Sequence, residues 1–105
     1  GLYGRGTDLG TALEKLIQMK PTPLTASATL LILSDTKTVD QPRALKALLE
    51  AKRLSGRVLW LNPIPESRWE YLRSCQMMAT ASTMISCNTL NALAGACRKL
   101  ALRDK

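Results

Sequence analysis

Two short segments of this chain carry residues suited to chemistry. One is Gly4-Arg5-Gly6-Thr7, and the other is the apolar run Leu30-Leu31-Ile32-Leu33 ending in Ser34-Asp35. A threonine hydroxyl and an aspartate carboxylate are hard oxygen ligands of the type Mg²⁺ or Mn²⁺ accepts, directly or through water. Gly4 and Gly6 let backbone approach closely. The same residues admit a plainer reading, in which Thr7 caps a helix and Asp35 opens a turn. Spacing alone leaves both open.

Catalysis finds little support. The chain has no histidine, which removes the commonest general base and rules out Ser–His and Cys–His nucleophile pairs. The carboxylates of Asp35, Asp40, Glu66 and Glu70 include no pair whose spacing demands acid–base work. Cys75, Cys87 and Cys97 are odd in number, far apart and form no Cys-x-x-Cys pair, so they read as reduced, packed thiols.

The elements that would position Thr7 and Asp35 follow from periodicity. Leu9, Leu13, Leu16 and Ile17 form one stripe of a helix that Thr7 would cap, with Asp8 in its first turn, and Pro21 and Pro23 stop it. Ala28 to Asp35 reads as a strand covered on both faces, the organising strand of the sheet. Asp40-Gln41-Pro42 starts a helix that turns Leu45, Leu48, Leu49 and the stem of Lys52 to the sheet, with Gly56 as a left-handed cap.

Arg57 to Leu61 is a second strand, ended by the prolines of Asn62-Pro63-Ile64-Pro65. Ser67-Arg68-Trp69-Glu70 has the form of a capping box for a short helix through about Ser74, with Trp69, Leu72 and the stem of Arg73 inward. Thr83 to Cys87 is a short third strand, and Leu90, Leu93, Ala94, Cys97, Leu100 and Ala101 keep helical spacing after it.

Strands alternating with helices imply parallel strands and right-handed crossovers: an α/β fold with a three-layer, doubly wound parallel sheet. In such folds the N-terminus of the first helix and the C-terminus of the next strand share one edge, so Thr7 and Asp35 can meet there. The first helix has no strand before it, so the expectation is a single domain over residues 1–105 that forms the C-terminal portion of a larger one. Without that strand, an edge of the sheet is open to self-association, and a homo-oligomer is expected.

Apolar residues make up 46% of the 105, which is ordinary for a globular protein. No uncharged apolar run approaches the roughly 20 residues of a membrane helix, and no secretory signal is visible, so the location expected is cytoplasmic. The formal charge of +7 is spread over several helices, with Trp60, Trp69, Tyr3 and Tyr71 as the aromatic platforms and no nucleic-acid-binding motif. Solvated helix faces account for it more simply than a nucleic-acid patch.

Gly4-Arg5-Gly6-Thr7-Asp8-Leu9-Gly10 followed by Leu30 to Asp35 resembles the second and third metal-site segments of von Willebrand factor type A domains. Arg57-Val58-Leu59-Trp60-Leu61-Asn62-Pro63 is similar to the intracellular, CoxE-like branch, where a strand ending in Trp-Leu-Asn-Pro is characteristic. The resemblance implies a Rossmann-like sheet with a metal-ion-dependent adhesion site, Thr7 as its threonine and Asp35 as its late aspartate, with Ser34 beside it in support. It implies a Mg²⁺ or Mn²⁺ ion that grips an acidic residue of a protein partner, and a MoxR-type AAA ATPase among the partners, in assemblies that mature metal cofactors.

Two departures stand out. No Asp-x-Ser-x-Ser segment is present, and Thr36 replaces the glycine usual after the late aspartate, so metal binding by this chain alone is expected to be weak or absent. Two other readings compete. A nucleotide- or phosphate-binding protein would use Gly4, Gly6 and Gly10, which do not make Gly-x-Gly-x-x-Gly, and a basic nucleic-acid-binding domain would rest on charge alone.

Overall fold

The computed structural model describes residues 8–87. Within them run α1 (Leu9–Gln18), β1 (Thr29–Leu33), α2 (Gln41–Leu54), β2 (Arg57–Asn62), a 3₁₀ helix (Glu66–Tyr71), α3 (Arg73–Ala79) and β3 (Thr83–Ser86). The strands form one parallel sheet in the order β1-β2-β3. The α/β architecture expected from the alternation is the one observed. The final helix expected from Leu90 onward lies outside the described residues.

Parallel strands place alternate residues on opposite faces, and the register puts Leu30 opposite Val58 and Ile32 opposite Trp60. These side chains pack with Leu9 and Leu13 of α1, with Ala44, Ala47, Leu48 and Ala51 of α2, and with Met78 of α3. On the other face Leu61 and Cys87 are buried, with Leu31, Leu33 and Ile85 partly covered beside them.

β2 is the strand enclosed on both sides: Val58 to Asn62 are all buried. β1 alternates between buried and half-exposed residues and, among the described residues, pairs with β2 alone. Among the described residues the sheet is therefore centred on β2, which corrects the reading of Ala28 to Asp35 as its organising strand. Charge-free composition did not single out the more deeply buried of the two strands.

The inward stripe of helix α2 keeps Leu48 and, partly covered, Leu45 as expected, but continues through alanines rather than through Leu49 and Lys52. Ala44, Ala47, Leu48 and Ala51 are buried, whereas Leu49 is 49% exposed and Lys52 faces solvent. The small residues are inside because α1 comes close. A Cβ on Gly10 would sit 3.3 Å from the Ala44 backbone nitrogen, so a bulkier α2 face would push the two helices apart.

The ends of the helices also differ in detail. Asp8, rather than Thr7, caps α1: its carboxylate accepts from the Thr11 amide at 3.0 Å and from the Thr11 hydroxyl at 2.6 Å. Asp40 caps α2 from a left-handed backbone, φ 49°, with Pro42 in the first turn as expected. Ser55 ends α2 in an extended conformation, so Gly56 is not a left-handed cap. It is required for another reason, because a Cβ there would lie 2.2 Å from the Ala26 carbonyl oxygen.

The Ser67-x-x-Glu70 box does not form. The chain makes a 3₁₀ helix with no side-chain cap, and α3 begins only at Arg73, whose side chain is exposed. The Trp69 indole instead donates to the Ile64 carbonyl at 2.8 Å, which pulls this turn back onto the loop after β2.

Candidate functional site

Beyond Leu33, β1 runs into a tight loop at the carboxyl edge of the sheet. The Ser34 amide still donates to Leu61 O across the ladder at 3.2 Å, and the Ser34 carbonyl accepts from the buried Trp60 indole at 2.8 Å. A buried indole needs an acceptor, and here it fixes the point where the strand ends. The Ser34 hydroxyl then accepts from the Thr36 amide at 3.1 Å, and Asp35 Oδ1 accepts from the Lys37 amide at 2.9 Å. Asp35 therefore does open a turn, as the plainer reading proposed, and it does so with one carboxylate oxygen.

Thr36 is the pivot of the loop. It is fully buried and left-handed, φ 72°, a backbone that a β-branched residue rarely adopts. Its hydroxyl donates to Asp35 O, shares a 2.7 Å hydrogen bond with Ser74 Oγ and lies 3.3 Å from Cys75 Sγ. Asn62, buried at the end of β2, donates to the Cys75 and Met84 sulfurs at 3.4 Å and accepts from the Ile64 amide at 2.9 Å. The loop that displays Asp35 is thus tied to β2 and α3 by polar contacts beneath it, and Asn62 links those elements on to β3. A glycine would suit the backbone angle better, but it would lose the hydroxyl that joins the loop to α3.

The same loop meets the start of the first helix. The Leu9 amide, one of the four that helix geometry leaves without an intrahelical partner, donates to Thr38 Oγ1 at 2.9 Å. This fixes the N-terminus of α1 beside the loop that carries Ser34 and Asp35. Thr7, Gly4 and Gly6 lie outside the described residues.

As a cation site, the described part has the right donor chemistry and too few donors. Asp35 keeps one carboxylate oxygen without a hydrogen bond among the described residues, and the preceding residue, Ser34, carries a hydroxyl on the same loop. A hard divalent cation takes six or more oxygens, so waters, Thr7 and an outside ligand would have to supply the rest. Among the described residues no group of three or more His, Cys, Asp or Glu side chains is gathered at one place.

Beside the loop is a notch of about 510 Å³ lined by Lys37, Ile64, Arg68, Tyr71 and Leu72. None of these stood out as a site residue in the sequence. The signal that could have found them is the run of prolines after β2, which forces the chain to turn at this edge and brings Arg68 and Tyr71 to it. On the helical side, a groove of about 580 Å³ runs between α1 and α2, where Arg43 meets Glu14 through two hydrogen bonds, at 2.9 and 2.6 Å. Arg43 holds the Glu14 carboxyl below the usual carboxylate range by that hydrogen bonding, and the Thr11 hydroxyl does the same for Asp8.

No helix among the described residues is long and apolar enough to cross a membrane. Compared with known families, residues 1–96 match the model of the VWA domain containing CoxE-like protein. Searches of curated proteins and of solved structures matched nothing.

Proposed function

Because the chain belongs to the family of VWA domain containing CoxE-like proteins, we propose that it is a non-enzymatic protein-interaction module working at the carboxyl edge of its sheet. Domains of this family commonly mediate protein interactions. In our reading Asp35 and Thr7 are direct or water-bridged ligands of a Mg²⁺ or Mn²⁺ ion, with Ser34, Gly4 and Gly6 in support. When bound, the cation supplies an open coordination position that an acidic side chain of the partner fills. The chain's own residues hold the edge still: Trp60 fixes Ser34, Thr36 fixes the turn, and Thr38 fixes the start of α1.

The observation that carries this reading is the hydrogen bond from the Leu9 amide to Thr38 Oγ1, because it joins the segment after Thr7 to the loop of Asp35. Asp8 supports it too, since a helix capped by Asp8 does not use Thr7 for that purpose. The test is calorimetric titration of Mg²⁺ and Mn²⁺ into the protein and into Thr7→Ala and Asp35→Ala variants. The reading expects weak binding that both substitutions abolish; binding that neither substitution changes contradicts it.

Family membership alone supports the extension to a MoxR-type AAA ATPase as partner, in an assembly that matures metal cofactors. Co-purification that Mg²⁺ promotes and EDTA or Asp35→Ala reverses is the expected result. The outer edge of β1, unpaired among the described residues, supports self-association. Light-scattering chromatography should show mass rising with concentration, and a sharp monomer peak throughout counts against it.

A further inference from the structure

The notch beside Asp35 has a chemistry that the cation reading leaves unused. Lys37 and Arg68 are exposed on its two walls and make no ion pair among the described residues. Tyr71, at 79%, is the most exposed large apolar side chain among them. Half-buried Ile64 and Leu72 complete the lining, so cations and an aromatic ring surround an apolar surface.

The walls are built before any ligand arrives. The Ile64 amide is held by Asn62 Oδ1 at 2.9 Å, and its carbonyl accepts from the Trp69 indole at 2.8 Å and from Ser86 Oγ at 3.3 Å. Leu72 N donates to Trp69 O at 3.1 Å, and the Gln76 side chain donates to Glu70 O. The Lys37 backbone is held by the hydrogen bond its amide donates to Asp35 Oδ1. A preformed surface of this kind spends little of a ligand's interaction energy on ordering the site.

We propose that this notch seats an acidic peptide segment of the partner, with carboxylates on Lys37 and Arg68 and an apolar side chain against Ile64, Leu72 and the ring of Tyr71. Charge complementarity selects the ligand class. Two cations are few for a nucleic-acid backbone, which specific binders contact through many phosphates, and Tyr71 is a single stacking platform. A volume of about 510 Å³ lies within the usual range of ligand pockets and suits a few residues of extended chain. The proposal rests on the interaction reading above and deepens it. Lys37 is two residues from Asp35, so a partner chain whose carboxylate reaches the cation would run its flanking residues into the notch.

The test separates the two. A fluorescein-labelled pentapeptide, Glu-Glu-Leu-Asp-Glu, is titrated by polarisation into the protein in EDTA and again in Mg²⁺, with Lys-Lys-Leu-Lys-Lys as control. The acidic peptide should bind in EDTA, where the cation plays no part. The exposed double variant Lys37→Glu/Arg68→Glu should weaken that binding by about tenfold or more while circular dichroism stays unchanged. Asp35→Asn, which keeps an Oδ1 acceptor for the Lys37 amide and removes the charge, should leave the EDTA affinity intact and remove only the gain seen in Mg²⁺. Absence of binding, or binding that survives the double charge reversal, overturns the proposal. A duplex oligonucleotide that binds more tightly than the peptide and loses binding in the same double variant overturns the peptide assignment. Loss of the Mg²⁺ gain in the unmodified protein, with EDTA binding retained, would count against the cation reading alone.

Discussion

The groove between α1 and α2 and the notch at the carboxyl edge are similar in size, and both are lined with charge, yet they use it in opposite ways. In the groove Arg43 is committed to Glu14, with Asp8 at 4.0 Å, so its charge closes the surface between two helices. At the notch Lys37 and Arg68 face outward without a carboxylate partner among the described residues, and the bonds that hold the walls are made below by Trp60, Thr36, Asn62 and Trp69. Where ion pairs are satisfied within the chain they add little, because exposed pairs are screened by water and salt. Where buried polar contacts brace a loop and leave charges over, a surface is rigid and still has something to offer a partner.

The sharpest way to break this contrast is to remove the bracing. Trp60 is fully buried, and Trp60→Ala should cost about 3–5 kcal/mol in urea unfolding, through its cavity and the lost indole hydrogen bond to Ser34. Thr36→Val keeps the shape and removes the hydroxyl shared with Ser74, and should cost about 1–3 kcal/mol. A neutral result would mean that the loop does not depend on that contact.

Smaller effects sharpen the same point. Asp40 caps α2 from a left-handed backbone, so Asp40→Ala should cost about 1 kcal/mol and Asp40→Gly only a few tenths, because glycine accepts that angle. Equal losses would show that the carboxylate, and not the backbone, carries the cost.

The groove should respond least. Glu14 and Asp8 are held below their ordinary values of 4.5 and 3.8, the first chiefly by its hydrogen bond from Arg43 and the second by that from Thr11. A depressed carboxylate contributes stability that is fully present above its ordinary value and is lost as pH falls through the lower folded value. Stability should therefore be flat from pH 7 to about 5 and should decline below about 4.5. Arg43→Ala should reduce the part of that decline due to Glu14, and a midpoint at pH 7 changed as much as by Thr36→Val would refute the contrast.

Much of the architecture was legible in the sequence because its signals were local. Asp40 with Pro42 marked the start of α2, and apolar runs between prolines and polar loops marked the strands. The position of Asp35 at the sheet edge followed from the same pattern. What could not be read depends on contacts between elements. The inward face of α2 was decided by how closely α1 approaches Ala44, and Gly56 by the passing Ala26 carbonyl. Where the sequence offered a capping box at Ser67, the turn is uncapped and is anchored by the bond from Trp69 to Ile64. Thr36 stood out only through the resemblance, as the residue in place of a usual glycine; that it keeps the left-handed angle could not be read, since its hydroxyl is held by Ser74 and Cys75, thirty-eight and thirty-nine positions away. For the same reason the notch escaped notice: Lys37 and Arg68 are remote in sequence and meet only when the loop folds against the 3₁₀ helix.

The central claim is that the edge bearing Asp35 holds a divalent cation. Substoichiometric Mn²⁺ added to isotope-labelled protein tests it directly, because a paramagnetic ion broadens the amide signals nearest to it even when binding is weak. The account predicts selective broadening at Ser34, Asp35, Thr36 and Lys37 that excess Mg²⁺ reverses and Asp35→Ala abolishes. Broadening centred on the Asp8–Glu14 groove, or unchanged in the Asp35→Ala variant, would contradict it.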